Sequence, residues 1–285
     1  DISGSTDKSS YSIGGNYLYQ NGIMDAKNYY QRYNLRARFD QKVNNYLKIG
    51  VNAIFSNYDK YSPNNDAFFS AYVNPPVYPV YDDSNTDAYP IKFGSPQQYG
   101  FGNQYGNPVA TAYYNNNYEK GRKQVISLYA EFEIIKNKLT FKTSYNQDVN
   151  NWNSRDYTPE FYVGGSQGVK SSTLSKTSGT SSKLISDNLL TFKNTKGNSN
   201  YSILLGQSTR VEKEETLSGS ALNVPNFDSQ SLYLVNGSYL NRFAWDGASR
   251  YNGLSFFTRG TYNNKDKYLA TFTFRADGSS KYQEK

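Results

Sequence analysis

Tyr268-Leu269-Ala270-Thr271-Phe272-Thr273-Phe274-Arg275-Ala276-Asp277 is the stretch that decides the fold. Side chains alternate across an extended chain, so Tyr268, Ala270, Phe272, Phe274 and Ala276 share one face while Thr271, Thr273, Arg275 and Asp277 share the other. The polar turn Asn264-Lys265-Asp266-Lys267 joins this run to a second alternating run, Leu254 to Asn263, and the pair reads as a β-hairpin. The pattern recurs upstream, and the connections between the runs are alternately very short and very long. One oily face, one wet face and that rhythm of connections predict an outer-membrane β-barrel.

The composition agrees. A mean hydropathy of -0.79 and 36% hydrophobic residues are poor for a globular interior, yet 16% of the 285 residues are aromatic and 29 are Tyr. In a barrel only every second strand residue meets lipid, the lumen and loops are polar, and amphipathic rings gather at the membrane interfaces. Disorder is the competing source of low hydropathy, but disordered chains are poor in aromatic and β-branched residues. No apolar run approaches the roughly 18 residues of a helical span, so a membrane crossing must be made by strands. No signal peptide stands at Asp1, and the expectation is a sequence that begins inside a longer chain. The absence of Cys removes thiol chemistry. The formal charge of +7 is scattered and interleaved with acids, as in Val211-Glu212-Lys213-Glu214-Glu215, with no basic block, so nucleic acid is not an expected partner.

Alternation is found near residues 10-20, 30-42, 47-57, 123-135, 139-148, 183-193, 200-210, 254-263 and 267-277. Of these, 183-193 alternates only weakly through Leu184, Leu190 and Phe192, and 200-210 reads almost apolar through Ile203-Leu204-Leu205, so the sequence does not set the register of these two. This gives about nine consecutive antiparallel strands in one transmembrane domain covering 1-285. Tyr33, Leu35, Ala37 and Phe39 are expected to face lipid, with Arg36, Arg38 and Asp40 inward. Ile49, Val51, Ala53 and Phe55, then Ile126, Leu128 and Phe132, then Leu139 and Phe141, continue the outward set. The long connections 58-122, 149-182 and 211-253 are expected outside the cell, and the short turns on the periplasmic side. An odd number of strands with open edges cannot close on itself in hydrocarbon, so these residues are expected to be part of a larger barrel.

Several strings carry a family resemblance: Tyr33-Asn34-Leu35-Arg36-Ala37 with Asp40-Gln41-Lys42-Val43-Asn44, Leu47-Lys48-Ile49-Gly50-Val51-Asn52, Gly106-Asn107-Pro108-Val109-Ala110, Leu139-Thr140-Phe141-Lys142-Thr143-Ser144-Tyr145, and Tyr262 to Leu269 running on to Arg275-Ala276-Asp277-Gly278-Ser279-Ser280-Lys281. In this order they resemble the SusC/RagA family of TonB-dependent outer-membrane transporters of Bacteroidota. The resemblance implies an all-β, plugged barrel of the 22-stranded class, a SusD-like surface lipoprotein as partner, and energisation by the TonB-ExbB-ExbD complex through a plug outside these residues. It also implies import of an oligomeric nutrient, with glycan the leading cargo and peptide the second. The alternative from another class is a non-transporting surface protein, an adhesin or the scaffold of a surface complex.

Catalysis has little to stand on: there is no His and no Cys, and the adjacent acids Asp82-Asp83 and Glu214-Glu215 read as solvated loop residues. Asp83, Asn85 and Asp87 have the alternate-oxygen spacing of a calcium loop, but Ala88 stands where Gly is needed and Gly94 where the twelfth ligand belongs, so an ordinary Asx-rich turn is the stronger reading. No cofactor is expected. The loop 58-122 is too long for a mere connection. It carries Tyr72, Tyr78, Tyr81, Tyr99, Phe101, Tyr105, Tyr113 and Tyr114 among Pro and Gly, and rings with hydroxyls stack on sugars or grip peptides. Tyr72, Tyr78, Tyr81, Tyr113 and Tyr114 are therefore candidate cargo contacts. Trp152, placed in the second long loop, joins them. The Ser, Thr and Gly run from Gly164 to Ser182 reads as a flexible, solvent-exposed loop tip.

Overall fold

The structure is a computed structural model and describes residues 1–102, 106–165, 167–225 and 232–282. Among these residues, ten strands form one antiparallel sheet in which each strand pairs with its neighbours in sequence. In chain order they begin with β1 (Ile2–Ser5), β2 (Ser9–Asn21), β3 (Tyr29–Lys42) and β4 (Leu47–Ser62). Two short helices follow, α1 (Asp66–Val73) and α2 (Pro108–Tyr113), and then β5 (Asn116–Ile135) and β6 (Leu139–Thr158). A separate two-stranded hairpin, β7 (Phe161–Gly164) with β8 (Gln167–Val169), interrupts the order before β9 (Thr173–Lys196), β10 (Ser199–Leu222), β11 (Arg242–Asn264) and β12 (Tyr268–Ser279) complete the sheet.

All nine expected strands are present, and their register keeps every expected outward residue on one face. A single rung runs from Phe39 through Val51, Leu128 and Tyr145. Another runs from Leu47 through Phe132, Phe141, Leu190 and Leu205 to Thr258 and Phe274. A slip of one residue in any pairing would turn that strand's apolar set to the other face, so the unbroken rungs fix the register. The opposite face is mainly polar, with apolar exceptions such as Ile54, Val125 and Ile185: Arg38, Asn52, Ser127 and Asn146 share one rung. In a membrane barrel the first face meets lipid and the second lines the lumen. Tyrosines edge the apolar face. The ring centroids of Tyr29 and Tyr61 lie 5.2 Å apart and those of Tyr61 and Tyr118 lie 4.6 Å apart, with Lys27 Nζ 3.8 Å above the Tyr61 ring, an amphipathic border of the kind that sits at a headgroup boundary.

Three expectations are corrected. A tenth strand, β1, pairs with β2 at the start of the sheet. The strands are also far longer than the 9 to 11 residues a crossing needs: β9 and β10 have 24 residues each and β11 has 23. The loops shrink to match, to 63–115, 159–172 and 223–241 in place of 58-122, 149-182 and 211-253. Finally, the run 164-182 is not a flexible tip, because from Thr173 onward it is strand, paired on both sides to β6 and β10. The physical reason is common to the last two. Where the sheet continues past the membrane both faces meet water, so alternation vanishes from the sequence while Thr and the paired neighbours still hold the chain extended.

The short turns use left-handed residues as tight hairpins require: Lys265 and Asp266 have φ of 52° and 54°, and Asn263 Oδ1 accepts the Asp266 N–H at 3.0 Å. No helix among the described residues is long and apolar enough to cross a membrane.

Candidate functional site

Two regions bring functional side chains together, the long loops and the polar wall. In the first, Asn107 organises the loop 63–115. Its side-chain oxygen caps α2 by accepting from Val109 N at 3.0 Å and Ala110 N at 3.2 Å, with Pro108 at the first helical position. Its amide donates to the carbonyls of Val80 at 2.9 Å and Gly94 at 3.0 Å, and its backbone N–H donates to Gln167 of β8 at 2.7 Å. Gln167 returns a hydrogen bond to the Asn107 carbonyl at 2.8 Å. Below this, Phe93, Ala110, Tyr114, Phe161 and Val163 form a buried cluster, so the first long loop and the hairpin of the second make one packed unit. A second cluster of Tyr157, Leu174, Ala221, Val224 and Leu232 ties the ends of β6, β9 and β10 to the loop after β10.

The candidate rings separate within this unit. Tyr114 is only 4% exposed and stacks on Phe161 at 4.1 Å, which makes it core. Tyr78 is held by its hydroxyl, which donates to Asn74 at 3.0 Å, and burial raises its pKa. Tyr81 and Tyr113 are exposed and both pack against Phe93, at 5.1 and 6.0 Å. They share a cavity of about 520 Å³ with Phe68 of α1, Lys27 and Tyr61. Tyr61 belongs to the apolar face, so this cavity stands above the lipid-facing side of the sheet. Tyr72, 88% exposed, touches neither ring pair. Tyr105 lies outside the described residues.

The calcium candidates do not converge. Asn85 is buried and uses its amide as a donor to the carbonyls of Phe93 at 2.7 Å and Val163 at 2.8 Å, while Asp83 and Asp87 are exposed. The neighbouring Asp82 is the better-held acid. It accepts from the Ser84 hydroxyl at 2.6 Å, from the Tyr99 hydroxyl at 2.8 Å and from Ser84 N at 2.9 Å, and these bonds hold its carboxyl below the usual carboxylate range. Among the described residues no cluster of three or more His, Cys, Asp or Glu side chains is placed to hold a metal.

Trp152 is not in a loop. It stands in β6 on the polar face, opposite Gly121 of β5 and Gly179 of β9. This wall also carries paired charges: Lys123 to Asp148 at 3.0 Å, Arg210 to Glu212 at 2.5 Å and Lys183 to Glu212 at 3.7 Å. Of these, Lys123, Asp148, Lys183 and Glu212 line a concavity of about 700 Å³ together with Arg32 and Tyr58. The sequence marked Arg36, Arg38 and Arg275 as inward, and all three lie on this face, bonded to Asp1, Asp40 and Asp277 respectively. Nothing in the sequence singled out Tyr58, because a Tyr at a strand position facing the lumen has no local signature.

No family model matches the chain. It is 27% identical to the TonB-dependent receptor P3 of Formosa agariphila over 300 residues, and 24% identical to the TonB-dependent receptor P26 of the same organism over 289. In each case 99% of this chain is covered but only 28% of the relative, so the chain spans just over a quarter of the length of these proteins. In fold it is similar to the RagAB peptide transporter, with a TM-score of 0.77 at 18% identity over 99% of this chain and 31% of the other. It is also similar, at a TM-score of 0.52 and 12% identity, to BauA, the ferric preacinetobactin receptor of Acinetobacter baumannii, over 96% of this chain and 38% of the other.

Proposed function

We propose that the chain is a SusC/RagA-like segment of a TonB-dependent transporter barrel, and that it supplies wall and outer loops to an importer that carries an oligomeric nutrient, a glycan in the first place, across the outer membrane. The observation that carries this reading is the two-faced sheet of ten strands, apolar on one side and charged or hydroxylated on the other, with its long strands ending in packed loops. The long connections lie at the cell surface and the short turns in the periplasm. A SusD-like lipoprotein covers the outer mouth, and the TonB-ExbB-ExbD complex acts through parts of the transporter beyond these residues. The reading needs no catalytic group and no cofactor.

Peptide is the competing cargo, since RagAB is a peptide transporter, and an adhesin or scaffold is the competing class. One experiment separates them. The complete gene is deleted and the strain grown on single oligomeric glycans or peptides, with and without functional TonB. TonB-dependent loss of growth on a glycan is the expected result. Loss on peptide alone reassigns the cargo, and growth that depends on neither the gene nor TonB removes the import reading.

A further inference from the structure

We propose that Tyr58 and Trp152 form a saccharide-stacking site on the inner wall of the barrel, an assignment that rests on the glycan-import reading above. On the polar face four aromatic rings lie flat over glycines of the neighbouring strand. A Cβ added to Gly121 would come within 2.3 Å of the Tyr58 ring, and one on Gly179 within 2.3 Å of the Trp152 ring. The corresponding approaches are 2.2 Å for Gly50 to Tyr129 and 2.2 Å for Gly206 to Phe257. Only glycine leaves room for a ring to lie against the wall in this way, and a glycine in mid-strand weakens the strand that carries it.

The four rings differ in what covers their other face. Tyr129 has Lys142 Nζ at 4.8 Å and Lys48 Nζ at 5.8 Å from its centroid, and its hydroxyl is bonded to Asp40. Phe257 has the Arg275 guanidinium at 5.4 Å. These two rings already spend their π faces on cations. Tyr58 has one tilted neighbour, Tyr30, at 6.1 Å, and its hydroxyl is pinned to Glu119 at 2.7 Å. Over Trp152 no ring or cation is placed among the described residues.

Tyr58 and Trp152 also belong to a single rung, which runs Tyr58, Gly121, Trp152, Gly179 across four strands. The two platforms are therefore two strand spacings apart, about 10 Å. The rung on one side of them reads Ser56, Lys123, Asn150, Ser181, and the rung on the other reads Lys60, Glu119, Ser154, Thr177. A sugar ring presents C–H bonds above and below and hydroxyls around its edge. That distribution matches flat rings flanked on both sides by hydroxyl, amide and charged groups. A peptide is served less well, because β4, β5, β6 and β9 are each paired on both sides and leave no strand edge for it to join.

The test uses the complete transporter, purified and titrated calorimetrically with neutral hexasaccharides of the α-glucan, β-glucan, mannan and fructan types and with decapeptides. The expected result is that at least one hexasaccharide binds. Trp152→Leu and Tyr58→Leu, which keep an apolar cover over the glycines, each weaken that binding about tenfold. Trp152→Phe, which keeps a ring, retains most of it, and the unfolding temperature is unchanged in all three. Undiminished affinity in the double Leu variant overturns the proposal, as does a loss that tracks a fall in unfolding temperature, since the rings would then serve only to cover glycine. Binding of decapeptides and of no hexasaccharide overturns the saccharide assignment. TonB-dependent growth is scored on the same strains, so an importer whose binding ignores these rings loses only the wall site, whereas growth independent of TonB removes import itself.

Discussion

The buried amide of Asn85 donates to the carbonyl of Val163 at 2.8 Å, across 78 residues of chain, and so fastens the first long loop to the hairpin of the second. The same amide satisfies Phe93 O at 2.7 Å. Two buried carbonyls thus depend on one side chain, and an unsatisfied buried acceptor costs about 1 to 3 kcal/mol. Asn85→Leu is expected to loosen both loops together, seen as faster amide exchange in 88–94 and in 161–169. Faster exchange in only one of them would show that the loops move independently.

The tyrosines of this loop divide into core and surface, and substitution separates them. Tyr114→Ala removes a ring packed at 4.1 Å on Phe161 and should cost about 3 to 5 kcal/mol of loop stability, with proteolysis near 100–115 as the readout. Tyr81→Ala with Tyr113→Ala should leave the loop folded, since both rings are exposed. If the cavity between α1 and α2 contributes to nutrient capture, uptake falls in this double variant while surface levels hold. Unchanged uptake would assign these two rings to structure alone.

The sheet was legible because lipid imposes period two on its contacts: Phe39, Val51 and Leu128 share a face in the structure as they do in the alternation. That signal stops where lipid stops. Thr173 to Ser182 carries no lipid-imposed alternation, its apolar Leu174 packing instead into the cluster with Tyr157 and Val224, so a long strand there looked like a loop, and Trp152 was placed in a connection when it stands on the wall. The loop unit was legible in part. Asn107 followed by Pro108 is an N-cap and first-turn pair visible in the sequence, whereas the partner of Asn85 lies 78 residues away and no local pattern points to it. Tyr114 and Tyr113 are neighbours of one type, and only packing tells that one is core and the other surface.

Acid should act on the turn around Asp82. Hydrogen bonds from Ser84 and Tyr99 lower its pKa in the folded loop, so the stabilisation is fully present above the ordinary carboxylate value of about 4 and is lost as the pH falls through the lower folded value. Amide exchange in 82–86 and around Tyr99 is expected to rise as the pH is taken from about 5 to 3 after correction for intrinsic rates. Asp82→Asn should flatten that dependence. A profile identical in the variant would show that another group controls the turn.

The assignment of faces is open to the most direct test. Phe132 lies in the middle of an apolar rung between Leu47 and Phe141, its ring 6.3 Å from that of Phe141, and its neighbour Glu131 points to the polar wall between Lys48 and Lys142. Phe132→Arg places a cation in hydrocarbon and is expected to cost about 2 to 4 kcal/mol if the site lies near the bilayer midplane. Ser127→Arg, on the rung of Arg38 and Asn146, places the same charge in water and should cost far less. The complete transporter carrying each change is compared by the temperature at which its folded, fast-migrating band is lost on a gel. A fall for Phe132→Arg alone is expected. Equal effects, or a larger fall for Ser127→Arg, would mean that the face bearing Phe39, Val51 and Leu128 does not meet lipid.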